Sequence, residues 1–128
     1  MNPMLIAAVA AGGALGSVAR YLTVALFGRW FGSGFPWGTL AVNLIGSLVM
    51  GVLAELAAQR LSFPEPWRVF LFVGILGGFT TFSSFSLDVV TLMNRNLGLA
   101  FVYVAGTLLL GIGALFLGLA LVRWGLKV

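Results

Sequence analysis

Four long apolar stretches constrain this chain more than any other feature of its sequence. Each is long enough to cross the hydrocarbon core of a bilayer, which takes about 20 residues of helix. They cover about residues 4–27, 38–58, 67–92 and 99–122. Backbone polar groups must be paired inside lipid, so stretches of this length cross membranes as helices. The sequence therefore predicts an all-α integral membrane protein, with residues 1–128 forming a single domain of four transmembrane helices.

Composition agrees with a membrane protein and excludes several other classes. Hydrophobic residues make up 61% of the chain and charged residues 8%, whereas soluble domains carry about 25% charged residues. The net charge is +4, but the basic residues are scattered singly near the ends of the apolar stretches, which argues against nucleic-acid binding. The absence of Cys and His excludes disulfides, thiolate or imidazole metal sites and Cys/His catalysis.

The flanking residues say little about orientation. An even number of spans places both termini on one side. The basic residues divide between that side (Arg60, Arg68, Arg123, Lys127) and the other (Arg29, Arg95, and Arg20 if its side chain extends to the interface). This positive-inside bias is weak, so insertion in both orientations, and an antiparallel dimer, are permitted. The four tryptophans at segment ends are typical of an interfacial aromatic belt: Trp30, Trp37, Trp67 and Trp124.

Small residues recur at helical spacing inside the spans. The pairs are Gly12 with Gly16, Ser47 with Gly51, and Ala114 with Gly118. In lipid, faces of small residues let helices approach closely. We therefore predict helix packing at these three faces and a compact oligomer.

The third stretch carries an unusual sequence near its middle, GGFTTFSSFS at residues 77–86. Double glycine and a run of hydroxyl and aromatic residues weaken a helix. Irregular backbone at membrane depth is tolerated only inside protein or beside a wet cavity, where it can bind ions. We predict a third helix broken near its middle, with a flexible but continuous helix as the alternative.

The polar residues inside the spans suit an anion better than a cation. No acidic residue lies near the middle of a span, and Asp88 comes closest. The second span has a polar face of Thr39, Asn43 and Ser47, and the fourth has one of Tyr103, Thr107 and Gly111. Such hydroxyls and amides can donate hydrogen bonds to an anion, although each face could also serve helix packing.

Aromatic and basic residues near these faces have two interpretations each. Phe82 and Phe85 share one helical face, where they either pack or present their positive ring edges to an anion. Arg20 lies late in the first span. It either extends toward the interface, bonds carbonyls at a helix end, or makes a vestibule electropositive.

These motifs together resemble the Fluc family of fluoride channels, also called the CrcB type. The resemblance covers essentially the whole chain. It includes GGALG at residues 12–16 followed by Arg20, GTLAVN at 38–43 followed by Gly46, and GGFTTFS at 77–83 followed by Phe85. In three positions the chain differs from the common pattern: Ser84 replaces Thr, Asp88 replaces Glu, and Gly111 lies where some members have a second hydroxyl.

The resemblance implies an antiparallel, dual-topology homodimer in lipid at the bacterial inner membrane. It would contain two pores that passively export fluoride and relieve its toxicity, without enzymatic chemistry. A structural sodium ion would lie at the dimer centre, held by backbone carbonyls at Gly77 and Thr80, with Arg20 in a structural or vestibule role. The implied pore residues are Thr39, Asn43, Thr81, Phe82, Ser83, Phe85, Tyr103 and Thr107.

Three other functions fit the sequence less well. A small dual-topology multidrug exporter has the right size, but it would need a glutamate in the first span, which has no acidic residue. A structural subunit would not need polar residues along three spans together with a broken helix. A membrane enzyme would need a nucleophile–base pair or a metal site, and neither is visible.

Overall fold

The computed structural model describes residues 1–59 and 62–125, and the regular structure in these ranges is helical. The elements are α1 (Pro3–Phe31), α2 (Trp37–Gln59), α3 (Glu65–Arg68), a π-helix (Val69–Leu76), α4 (Gly77–Phe79), α5 (Ser83–Arg95) and α6 (Leu97–Gly125). Within the described residues, four helical spans are long and apolar enough to cross a membrane: Pro3–Phe31, Trp37–Gln59, Glu65–Arg95 and Leu97–Gly125. The predicted four-span architecture is confirmed, while Arg60 and Lys127 of the predicted charge distribution lie outside the described residues.

The first helix is longer than its apolar stretch. Asn2 begins it by accepting a hydrogen bond from the backbone N–H of Met4 at 2.9 Å. It continues past the expected end near residue 27 to Phe31, and Gly32 ends it with a φ of 77°. This left-handed conformation favours glycine, so backbone geometry ends α1, and the hydrophobic pattern does not mark that end.

Glycines bring α1 against the third span. A β-carbon at Gly12 would overlap the carbonyl oxygen of Phe70 and lie 2.9 Å from the Cα of Gly74. One at Gly16 would overlap the carbonyl of Ile75. The two backbones therefore touch directly, as expected for small-residue faces in lipid, and the packing role predicted for Gly12 and Gly16 is confirmed.

A second glycine contact joins α2 to α6, the pair of helices with the most extensive contact. A β-carbon at Gly51 would overlap the carbonyl of Leu115, and one at Gly118 would overlap the carbonyl of Leu48. Thus Gly51 and Gly118, which the sequence analysis assigned to two different faces, pack at the same interface. The bundle is therefore held by two glycine seams, one between α1 and the third span and one between α2 and α6.

The π-helix at Val69–Leu76 was not predicted. Its hydrogen bonds reach five residues back, as in the bond from the Gly77 N–H toward the Phe72 carbonyl. Every residue of the segment except Gly74 is apolar and large, so no polar face reveals its period. The segment packs along α1 and leads directly into α4.

Polar contacts tie the two ends of the bundle. At one end, Glu55 is buried in the last turns of α2, where its carboxylate accepts from Arg123 Nε of α6 at 2.9 Å and also from Gln59. At the other end, Arg95 Nη1 donates to the carbonyl of Ser33 at 3.3 Å. The α1–α2 and α5–α6 connections therefore lie at the same end, as alternating spans require.

Candidate functional site

The third span loses its helical conformation near its middle. Helix α4 ends at Phe79, Thr80 is extended (φ −82°, ψ 157°), and α5 begins at Ser83. The three residues 80–82 between these helices are non-helical. Such an interruption frees backbone groups that need other partners.

Asn43 of α2 supplies partners for both backbone groups of Thr81. Its Nδ2 donates to the Thr81 carbonyl at 3.0 Å, and its Oδ1 accepts from the Thr81 N–H at 2.8 Å. The side-chain amide therefore replaces a neighbouring peptide group. Of the two roles left open for Asn43, the structure shows that it joins two helices, and the same residue also lines the cavity described below.

The Thr81 side chain starts the next helix. Its hydroxyl oxygen accepts from the Ser84 N–H at 3.2 Å and lies 3.4 Å from the hydroxyl of Ser83. A hydroxyl in this position acts as a helix cap. Thr81 is thus fixed on its backbone by Asn43 and on its side chain by the first turn of α5.

These contacts release two backbone carbonyls from the helical ladder. In a continuous α-helix, the Thr81 N–H would donate to the Gly77 carbonyl, and the Ser84 N–H would donate to the Thr80 carbonyl. The Thr81 N–H bonds Asn43 instead, and the Ser84 N–H bonds the Thr81 hydroxyl. The carbonyls of Gly77 and Thr80 therefore lack their usual donors, which leaves oxygen atoms suited to a hard cation.

Arg20 bonds the carbonyl of Gly78, which lies in sequence between Gly77 and Thr80. Its Nε donates to the Gly78 carbonyl at 3.0 Å, and the side chain is half-buried. Of the three interpretations given to Arg20, the bond to a carbonyl at a helix end is the one that the structure shows. Arg20 also lines a cavity of about 340 Å³ with Ser17, Thr39, Thr81 and Ser84, so an electropositive vestibule is compatible with the same position.

A larger cavity of about 400 Å³ also borders the interrupted segment. It collects residues from α2, the third span and α6: Asn43, Gly46, Ser47, Met50, Thr80, Thr81, Phe82, Phe85, Thr107, Leu108, Gly111, Ile112 and Leu115. We call it the polar cavity. Five of the predicted pore residues meet there, namely Asn43, Thr81, Phe82, Phe85 and Thr107.

One wall of the polar cavity has an unpaired hydroxyl. Thr107 Oγ1 is buried and finds no hydrogen-bond partner among the described residues. Buried hydroxyls are nearly always paired, so the Thr107 hydroxyl keeps the capacity to bond a further group. Within residues 1–59 and 62–125, no acidic residue lines this cavity. The site can therefore offer hydrogen-bond donors to an anion without opposing it by a fixed negative charge.

The two phenylalanines of the site differ sharply in environment. Phe85 is 8% exposed and Phe82 is 76% exposed, although their ring centroids are 5.7 Å apart. Phe85 is fixed within the protein, whereas Phe82 projects from the surface of this single chain. Only one of the pair therefore belongs to the protein core.

Three predicted pore residues lie outside the polar cavity as the described residues define it. Tyr103 is 1% exposed, and its hydroxyl donates to Asp88 at 3.1 Å. Thr39 is buried between the cavity beside Arg20 and a third cavity of about 260 Å³ at the α1–α2 connection. Ser83 is exposed next to Thr81. Their assignment to a pore stays a prediction.

Sequence reasoning missed two residues of the site region. Asp88 was noted as the acidic residue nearest a span centre and as a replacement for the family's common Glu, but it was given no role, and its partner Tyr103 could not be inferred from spacing. Ser17 lines the cavity beside Arg20. Its position four residues after Gly13 and three before Arg20 on one helical face would have indicated it.

The fold and the cavities define a class of protein: a small multi-pass membrane protein whose site surrounds an interrupted helix and offers neutral donors to an ion. The family described as CrcB-like protein, Camphor Resistance (CrcB), matches residues 7–119. The chain therefore belongs to the CrcB family.

Several relatives match the sequence of this chain over nearly its full length. A protein of Rhodospirillum centenum is 57% identical over 120 residues, which covers 93% of this chain and 95% of the relative. One of Nitrobacter winogradskyi is 55% identical over 124 residues, covering 96% and 98%, and one of Caulobacter vibrioides is 52% identical over 125 residues, covering 96% and 97%. All three are named fluoride-specific ion channel FluC. The chain is a multi-pass bacterial membrane protein.

Proposed function

We propose that this protein is a fluoride-selective channel that lets fluoride leave the cell down its gradient and so relieves fluoride toxicity. The observation that carries the proposal is the polar cavity, which Asn43, Thr81 and the unpaired Thr107 line together and which no acidic residue of the described chain lines. Relatives named as fluoride channels support the choice of ion.

The donors of the polar cavity match the requirements of fluoride. This small anion holds water tightly, so a pore must replace that water with several donors and still release the ion. Thr107 has a free hydroxyl hydrogen, and Asn43 keeps one amide hydrogen after its bond to the Thr81 carbonyl. The ring edges of Phe82 and Phe85 carry partial positive charge. These groups bind weakly enough for passage, and no covalent step is needed.

The same proposal includes an antiparallel, dual-topology homodimer with two pores in the bacterial inner membrane. Its support is the exposure of the site. Phe82 is largely exposed and the polar cavity opens to the outside of the single chain. Polar groups are costly when they face lipid, so a second copy of the chain covers this face.

A structural sodium ion completes the proposal, held by the carbonyls of Gly77 and Thr80. Both carbonyls lack their usual helical donors, as described above. Within the described residues, no group of three acidic, His or Cys side chains could hold a metal, so backbone oxygens would form the site. When bound, the ion supplies a fixed positive charge. Asn43, Thr81 and Arg20 hold the backbone that presents the carbonyls.

Reconstitution tests the proposed function. Purified protein in liposomes loaded with fluoride should release it quickly, as recorded with a fluoride electrode, while chloride-loaded liposomes should release almost nothing. Protein-free liposomes give the background. Equal release of both ions would contradict selectivity, and no release from folded, reconstituted protein would contradict the channel itself.

A further inference from the structure

Tyr103 is fixed at both ends of its side chain. Its hydroxyl donates to Asp88 Oδ2 at 3.1 Å, which crosses from α6 to α5. Its ring packs against two phenylalanines, with centroids 5.1 Å from Phe85 and 5.4 Å from Phe35. At 1% exposure, Tyr103 is among the most deeply buried side chains of the described residues. A buried tyrosine hydroxyl needs a partner, and Asp88 provides it.

This contact reaches the polar cavity through Phe85. Phe85 lines that cavity and packs directly on the Tyr103 ring. Both belong to one buried cluster with Leu92 and Ala100, packed at the α5–α6 contact. Interiors are close-packed, so a shift of the Tyr103 ring displaces the ring against it. The position of Phe85 therefore depends on the bond that anchors Tyr103.

The charge of Asp88 is unfavourable for anion passage. Asp88 lines the cavity of about 260 Å³ at the α1–α2 connection, together with Arg95, Thr91 and Thr39. Arg95 offsets this charge at the cavity as a whole, but the Asp88 carboxylate still repels an anion that comes close to it. A role for Asp88 must therefore come from its oxygen atoms as hydrogen-bond acceptors, since its charge works against the proposed ion.

We propose that Asp88 is a positioning residue that accepts the Tyr103 hydroxyl and, through the Tyr103 ring, holds Phe85 at the polar cavity. Fluoride passage then depends on the Asp88 oxygen as a hydrogen-bond acceptor and does not require its negative charge. This inference rests on the proposed fluoride channel and adds a residue to it. Phe85 touches the ion path, whereas Asp88 acts only through Tyr103.

Four variants test the proposal in the reconstituted full-length protein: Asp88→Asn, Asp88→Ala, Tyr103→Phe, and the last two combined. Asparagine keeps an acceptor and removes the charge, so its fluoride efflux should equal or exceed that of the unmodified protein. Asp88→Ala and Tyr103→Phe should each reduce efflux by about tenfold, because a polar group loses its buried partner. The double variant should be no slower than either single variant, since both break the same bond.

The matched control is Thr91→Val, which lines the same cavity and bonds only its own helix, at the Leu87 carbonyl. Efflux should change little. The ratio of fluoride to chloride efflux should fall in Asp88→Ala and Tyr103→Phe but hold in Asp88→Asn, an outcome that general loss of stability does not produce.

Several outcomes would overturn the proposal. Asp88→Asn as slow as Asp88→Ala would show that the charge matters, and multiplied losses in the double variant would show independent roles. If Asp88→Ala fails to fold, Tyr103→Phe decides alone, since it removes one oxygen and keeps the ring. Absence of fluoride efflux from the unmodified protein would instead contradict the proposed function.

Discussion

Two adjacent segments of the third span are held by opposite means. Residues 69–79 contact α1 through backbone-to-backbone packing at Gly12 and Gly16, with no room for a β-carbon. Residues 80–82 have left the helix and are fixed by side-chain hydrogen bonds from Asn43 and from Thr81 itself. Residues 69–79 therefore form a closed seam with α1, whereas residues 80–82 border the polar cavity.

The difference shows how a short chain builds an ion site in lipid. A closed seam needs only small residues, because van der Waals packing drives helix association there. An open site must give up helical hydrogen bonds and replace each of them. We therefore expect the stability of the protein to depend mainly on the seam, and ion passage mainly on the interrupted segment, residues 80–82.

The largest expected effect is on the seam. In Gly16→Ala, the new β-carbon overlaps the Ile75 carbonyl and lies 3.0 Å from the Phe79 nitrogen. Backbone atoms cannot rotate away, so we expect a loss of about 3 kcal/mol in the free energy of unfolding. The measurement is the thermal unfolding midpoint in detergent, with size-exclusion chromatography to score folded protein.

Gly13→Ala is the matched control one turn away. No described atom lies within 4 Å of a β-carbon there. Replacing glycine by alanine in an open helical position should then stabilise by about 0.5–1 kcal/mol. An equal loss of stability from both substitutions would contradict the role of the closed seam between α1 and the third span.

The next largest effects are expected at Asn43, which holds the interrupted segment and not the seam. Asn43→Ala removes both bonds to Thr81 and leaves two backbone groups unpaired, which should cost about 2 kcal/mol and abolish most fluoride efflux. Asn43→Asp keeps the acceptor for the Thr81 N–H but adds a negative charge at the polar cavity. It should fold better than Asn43→Ala and still fail to pass fluoride.

Efflux and unfolding midpoints of these two variants are compared with Asn94→Ala, where the asparagine is exposed near the end of α5. That control should behave as the unmodified protein. Normal efflux in Asn43→Ala would contradict a role for the Asn43–Thr81 contact in ion passage.

The smallest effect on stability is expected at Phe82. Because Phe82 is 76% exposed in the single chain, Phe82→Ile should change the unfolding free energy of the monomer by less than about 0.5 kcal/mol and still reduce fluoride efflux. Phe85→Ile, in the core, should reduce efflux and also cost about 1 kcal/mol. Dimer content is checked by size-exclusion chromatography.

Phe101→Ile is the control for an exposed ring, since Phe101 is 75% exposed on α6 and lies outside the polar cavity. Its efflux should be unchanged. Unchanged efflux in both Phe82→Ile and Phe85→Ile would remove the ring edges from the ion path.

The small-residue faces could be predicted from the sequence, but the helices they pack against and much of the site could not. Span number follows from apolar length, and the pairing of Gly12 with Gly16 follows from helical spacing, because both signals are local. The π-helix is invisible in a segment that is apolar on all sides. The bonds from Asn43 to Thr81 and from Tyr103 to Asp88 join residues on different helices, so spacing along the chain carries no trace of them.

Individual residues show the same limit. Asn43 and Thr107 were recognised as polar residues in apolar spans, and the structure places both at one cavity. Tyr103 was recognised in the same way, yet its hydroxyl is already taken by Asp88. The sequence shows which side chains need partners in lipid, but the packing of helices decides whether the partner is protein or an ion.

The paired bonds between Asn43 and Thr81 also bear on how the chain enters the membrane during synthesis. The third span cannot take its final form alone, since the Thr81 N–H and carbonyl would meet only lipid. Its partner residue lies 38 positions earlier and leaves the ribosome first. We expect the second span to wait beside the insertion machinery until the third arrives, so that the two enter the bilayer as a pair.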